Sequence, residues 1–152
     1  MFTPDDYGQQ LAGYLARPLL PCEYWMFDMD MNEDVRLDVA RGSTAAFASG
    51  LHFLINTLRF QQAFDGGPGA APADALFARY QEAIVYRPLT MEGWVGLVTR
   101  QLRRLIHPPA LPVAPAYALS FVAALYIDVD GYTDTVLAEV GGQYVAVTVT
   151  PD

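Results

Sequence analysis

The sequence predicts an α+β domain: an antiparallel sheet of about five strands, an N-terminal hairpin and a C-terminal three-stranded meander, covered on one face by about four helices in the order αββαααβββ. Three observations predict it. The hydrophobic spacing switches several times between a period of two and a period of 3.6. Glycine and proline clusters fall at the switches. The chain has 152 residues, 53% hydrophobic and 17% charged, a balance opposite to that of disordered chains and suited to one domain with its own core, spanning residues 1–152.

The first helix is expected from Thr3 to about Arg17. Thr3 is a helix cap, Pro4 suits the first turn, and Asp5 and Asp6 complement the helix dipole. Leu11, Tyr14 and Leu15 share a face, and Pro18 and Pro21 end the helix. From Glu23 to Ala40 the period is two: Trp25, Phe27 and Met29, then Val35, Leu37 and Val39 alternating with Arg36 and Asp38. This predicts a hairpin turning near Asn32 and Glu33. Ser43 is read as the cap of a second helix whose apolar stripe is Phe47, Leu51, Leu54, Ile55 and Leu58, widened by Phe53, Phe60 and Phe64. Ser49, His52, Asn56 and Arg59 line its opposite side, a pattern expected of a solvated face.

After the turn at Gly66-Gly67-Pro68-Gly69, Pro72 to about Tyr86 fits a third helix, with Ile84-Val85-Tyr86 alternatively extended before Pro88. Thr90 caps a fourth, with Trp94, Leu97, Val98, Leu102 and Leu105 inward and its end near His107. The prolines from Pro108 to Pro115 force a connector. Three strands follow, Tyr117–Val129, Thr135–Val140 and Gln143–Thr150, the last two joined by Gly141-Gly142.

Seventeen acids against nine bases give a net charge of −8, and every base is arginine. Nucleic acid is thereby disfavoured as a partner, and a protein with a basic surface is favoured. The basic cluster Arg100, Arg103 and Arg104, continued by His107, suits a phosphate or carboxylate, or it complements the helix dipole. Cys22, the single cysteine, allows no internal disulfide and no cysteine-based zinc site. The acidic start lacks the pattern of a secretion signal, and the apolar run Ala116–Ile127 is too short to span a bilayer as a helix. The expectation is a cytoplasmic protein without a membrane segment or cofactor.

One internal echo stands out. Trp25-Met-Phe-Asp28-Met-Asp30-Met-Asn-Glu33-Asp34 parallels Leu125-Tyr-Ile-Asp128-Val-Asp130-Gly-Tyr132-Thr-Asp134, each an apolar strand ending in D-x-D-x-x-x-D. Carboxylates two apart on a strand share a face, so each segment sets like charges side by side. Calcium would suit such a cluster, but neither segment has the EF-hand arrangement: position six from Asp28 is Glu33, and glycine falls at position four from Asp128. Phe27-Asp28-Met29-Asp30 also resembles the aspartate pair of the haloacid-dehalogenase phosphotransferases. That family requires a lysine, which this chain lacks, and a long α/β domain in place of a hairpin. Nor is there a G-x-S-x-G elbow, a phosphate-cradling GK[ST] loop or a positive neighbour beside Cys22.

These readings favour binding over catalysis, without deciding against an enzyme. The leading expectation is an acidic inhibitor or immunity-type protein that neutralises a basic toxin or effector. Its binding residues would be Asp28, Asp30, Glu33, Asp34, Asp128, Asp130 and Asp134, with Tyr24 and Tyr132 as aromatic anchors. The alternatives are a secretion chaperone or homo-oligomeric subunit, a homodimer included, and a small metal-dependent enzyme in which Asp28, Asp30, Asp128 and Asp130 converge.

Overall fold

The structure, a computed structural model, describes residues 20–29, 32–65, 85–105, 121–128 and 133–151. Their elements run β1 (Glu23–Met29), β2 (Asn32–Ser43), α1 (Gly50–Asp65), β3 (Val85–Leu89), α2 (Met91–Leu102), β4 (Phe121–Asp128), β5 (Asp134–Val140) and β6 (Gln143–Pro151). All six strands form one antiparallel sheet in the order β1-β2-β6-β5-β4-β3.

The expected architecture is corrected in three respects. The sheet has six strands instead of about five, because Val85 and Tyr86 join Arg87-Pro88-Leu89 as β3 and pair with β4. Pro88 is tolerated there because β3 is the outermost strand in that order. Among the described residues there are two helices instead of about four; the expected first helix and residues 72–84 of the third lie outside those residues. Finally, the two helices cover opposite faces of the sheet.

That last point follows from alternation. Tyr144 and Ala146 of β6 pack with Leu51, Leu54, Ile55 and Leu58 of α1, together with Ala40, Leu125, Ile127 and Leu137. Their neighbours Val145, Val147 and Val149 pack with Trp94 and Val98 of α2, together with Leu37, Val39, Val136 and Ala138. Every residue from Tyr144 to Val149 is buried. A central strand covered on both faces has no solvent side, so its small polar residues are interior ones. Thr135 and Thr148 accordingly share a hydrogen bond across β5 and β6, 3.2 Å between hydroxyls.

The same covering buries polar side chains on β2 and α1 and overturns the solvated face expected on that helix. Asp38 is 3% exposed; its carboxylate pairs with Arg36 Nε at 3.0 Å and accepts from Gln61 Nε2 at 3.0 Å. On α1, all residues from Leu51 to Leu58 are buried. His52 and Asn56 are therefore internal structural groups: His52 Nδ1 accepts from the Ala48 amide at 3.2 Å, and Asn56 bonds both the amide and the carbonyl of Leu20, at 2.7 and 2.9 Å.

Two boundaries also move. β2 continues to Ser43, so the cap of α1 is Ser49, whose hydroxyl accepts from the His52 amide at 3.1 Å; Ser43 instead shapes the turn that follows, accepting from the Ala45 amide. The first hairpin turns between Met29 and Asn32, with an irregularity after Asp28, slightly earlier than expected. Thr90 caps α2 as predicted, accepting from the Gly93 amide at 3.1 Å, although the helix ends at Leu102, ahead of His107. Gly141 and Gly142, at φ 58° and 73°, form the tight turn joining β5 to β6, with both central residues in the left-handed region where glycine is favoured.

Candidate functional site

Strand direction decides where the acidic segments go. Residue pairing sets Phe27 beside Leu37, Leu37 beside Val149, Val149 beside Asp134 and Asp134 beside Asp128. The end of β1, the start of β2, the start of β5 and the end of β4 therefore all lie at one end of the sheet. β2 and β5 flank β6 there, two strand steps apart, or roughly 10 Å. That slightly exceeds the Debye length of about 8 Å at physiological salt, so the two acidic segments act on each other chiefly at lower ionic strength.

Of the residues expected to form a binding surface, Asp28 and Asp128 lie on strand ends at this edge, and Glu33 and Asp34 lie on the first part of β2. Asp134 opens β5 and lines a cleft on the α2 face. Asp30, Asp130 and Tyr132 lie outside the described residues. Tyr24 sits further back along β1, opposite Ala40; it is half-buried, its ring packed on the α1-side core 5.4 Å from that of Phe60. The strands carrying Asp28 and Asp128 stand four steps apart in the sheet, roughly 19 Å if the sheet were flat, far beyond the reach of a bridging ion. Among the described residues, no group of three or more histidine, cysteine, aspartate or glutamate side chains is placed to hold a metal.

Asp128 and Asp134 form a directly opposed cross-strand pair, a like-charge juxtaposition that costs stability unless relieved. One relief is visible. The Tyr126 hydroxyl donates to Asp134 Oδ1 at 2.6 Å, a short charge-assisted bond. Burial, the bond to Asp134 and the charges of Asp134 and Asp128 push the Tyr126 phenol well above its ordinary range, partly opposed by Arg87. The Arg87 guanidinium lies over the Tyr126 ring, 4.9 Å from its centroid, a cation–π arrangement.

These groups edge a cleft of about 200 Å³ between α2 and the sheet, whose lining includes Arg87, Arg100, Gln101, Tyr126 and Asp134. Its lining also includes Leu97 and Val98 of α2 and Val136, Val147 and Val149 of the sheet. The arginine cluster is divided by the helix: Arg100 lines the cleft, while Arg103 closes the helix end and Arg104 reaches Gln101 at 3.4 Å. Sequence reasoning found Arg100 but missed Arg87 and Tyr126. The signal for Tyr126 was its place in the second acidic echo: across a hairpin pairing Asp128 with Asp134, Tyr126 and Asp134 become diagonal neighbours.

At the other end of the sheet Cys22 lies in a hollow with Arg41, Gly42, Phe47 and Gln143. Burial pushes its thiol up to about 11, so it is mostly protonated at neutral pH and a poor nucleophile. No described helix is long and apolar enough to cross a membrane. The chain matches no protein-family model, no curated protein and no solved structure.

Proposed function

We propose that this chain is a non-enzymatic protein-binding protein, an acidic inhibitor of the immunity type that neutralises a basic toxin or effector. The observation that carries the reading is that the strand ends bearing both acidic segments, the ends of β1 and β4 and the starts of β2 and β5, lie at the same end of one sheet. With a net charge of −8, that end would steer a basic partner to it and repel acidic competitors. Six strands anchored in two hydrophobic layers support the strand ends from which this surface would extend, and a supported backbone lowers the entropic cost of binding.

The test is affinity purification from the native host, with mass-spectrometric identification of the co-purifying protein, followed by association kinetics with that protein. A stoichiometric basic partner is expected. Reversing Asp28, Asp30 and Asp34 to arginine is then expected to slow association at least about tenfold at low salt, and the difference should shrink as salt rises. An unchanged on-rate at low salt, or a self-association by light scattering that occupies this end of the sheet, would overturn the reading.

A further inference from the structure

We propose that the cleft between α2 and the sheet is a binding site for a small carboxylate with an apolar body, gripped by Arg87 and Arg100. In a chain whose acids outnumber its bases by 17 to nine, an arginine at a cleft would ordinarily be ion-paired. Among the described residues neither Arg87 nor Arg100 has an ion pair; Arg87 makes a cation–π contact with Tyr126. The carboxylate lining the cleft, Asp134, accepts the Tyr126 hydroxyl at 2.6 Å. Both guanidinium groups are exposed at the cleft, and a carboxylate matches their planar fork.

The rest of the cleft sets the ligand's size and body. Leu97, Val98, Val136, Val147 and Val149 line the cleft beside its polar groups, so an alkyl or aryl group on the ligand would meet apolar side chains. A volume of about 200 Å³ suits a small acid. Gln101 and Asp134 lie at the same cleft and supply hydrogen-bonding groups for a substituent on the ligand. The site involves none of the residues reversed in the test of partner binding, so the failure of one proposal leaves the other standing.

The experiment is a titration of benzoate, with inorganic phosphate as comparison at matched ionic strength, into the isotopically labelled full chain, followed by amide and arginine side-chain NMR. Saturable shifts are expected at Leu97 to Gln101, Tyr126 and Asp134 to Val136, with benzoate binding more tightly than phosphate. Arg87→Gln and Arg100→Gln should each weaken benzoate about tenfold or more, while Arg103→Gln, outside the cleft, leaves it unchanged. All three arginines are exposed, so the variants are expected to fold, which the amide spectrum itself verifies. Shifts that never saturate, that fall outside the cleft, that survive both cleft variants, or that are matched by phosphate would overturn the proposal.

Discussion

Replacing Tyr126 by phenylalanine removes one oxygen and tests how the acidic end of the sheet tolerates its own charge. In the native protein the phenol donates to Asp134 at 2.6 Å, and Asp134 stands directly opposite Asp128, where facing Cβ atoms are roughly 5 Å apart. A hydrogen bond to a charged acceptor contributes about 1.5–3 kcal/mol when buried. Tyr126 and Asp134 are only half-buried, and solvent screening brings the expected loss to about 1–2 kcal/mol. That corresponds to a fall in melting temperature of about 2–8 °C for a chain of this size. Urea denaturation of the wild type, Tyr126→Phe, Asp134→Asn and the double variant should give a cycle with a coupling of about 1 kcal/mol.

The pH dependence carries a definite sign. The folded state raises the phenol above its unfolded value, so the contribution is complete below about pH 10, where an unfolded tyrosine ionises, and is lost progressively as pH rises beyond it. The gap between wild type and Tyr126→Phe should therefore be flat from neutral pH to about 9 and shrink above about 10. A variant within about 0.3 kcal/mol of wild type at pH 7, or a gap indifferent to alkaline pH, would refute the reasoning.

Three further outcomes are expected. Gly42→Ala places a methyl 2.6 Å from Phe47 Cε2 and 3.1 Å from Phe53 Cε2, costing about 1–3 kcal/mol; adding Phe47→Leu should recover part of that loss in urea melts, and additive costs would argue against the clash. Asn56→Ala leaves the amide and carbonyl of Leu20 without their side-chain partner, an expected loss of about 2–3 kcal/mol, with faster amide exchange at Leu20 as the local readout. Cys22, with its thiol raised to about 11, should react with iodoacetamide at pH 7.5 at least about tenfold more slowly in the native protein than in the urea-unfolded chain; equal rates would mean the thiol is not shielded.

Much of the strand pattern was legible in the chain. The period-two runs around Trp25 to Met29, Val35 to Val39 and Gln143 to Thr150, the turn at Gly141-Gly142, and the cap at Thr90 all correspond to what is observed, because each depends on side chains or backbone preferences within a few residues. The boundary errors are local too: Ser43 and Ser49 are both competent caps, and the pairing of β2 with β6 through Ser43 and Gln143 decided between them. The short β3 was ambiguous for the same reason, since a run of three apolar residues before a proline needs a partner strand to be extended.

Solvation of the polar positions was not legible. Arg36 and Asp38 on β2, Thr148 on β6, and His52 and Asn56 on α1 alternate with apolar residues as an exposed face would, yet Asp38, His52, Asn56 and Thr148 are buried. Periodicity separates two faces; it does not say that one of them meets water. The candidate cleft was hidden for a related reason: Arg87, Arg100, Tyr126 and Asp134 come from β3, α2, β4 and β5, and no spacing along the chain connects them.

The sequence by itself determined the composition of the domain, the segments with strand periodicity and the concentration of acid in two similar turn-forming segments. Only the tertiary structure decided that these segments share one end of the sheet, that the helices take opposite faces, and that two arginines and a tyrosine–aspartate pair enclose a cleft. The division has a physical cause. Local preference is written in neighbouring residues, whereas the order β1-β2-β6-β5-β4-β3 arises from burying two apolar faces at once, a condition satisfied only by contacts between distant parts of the chain.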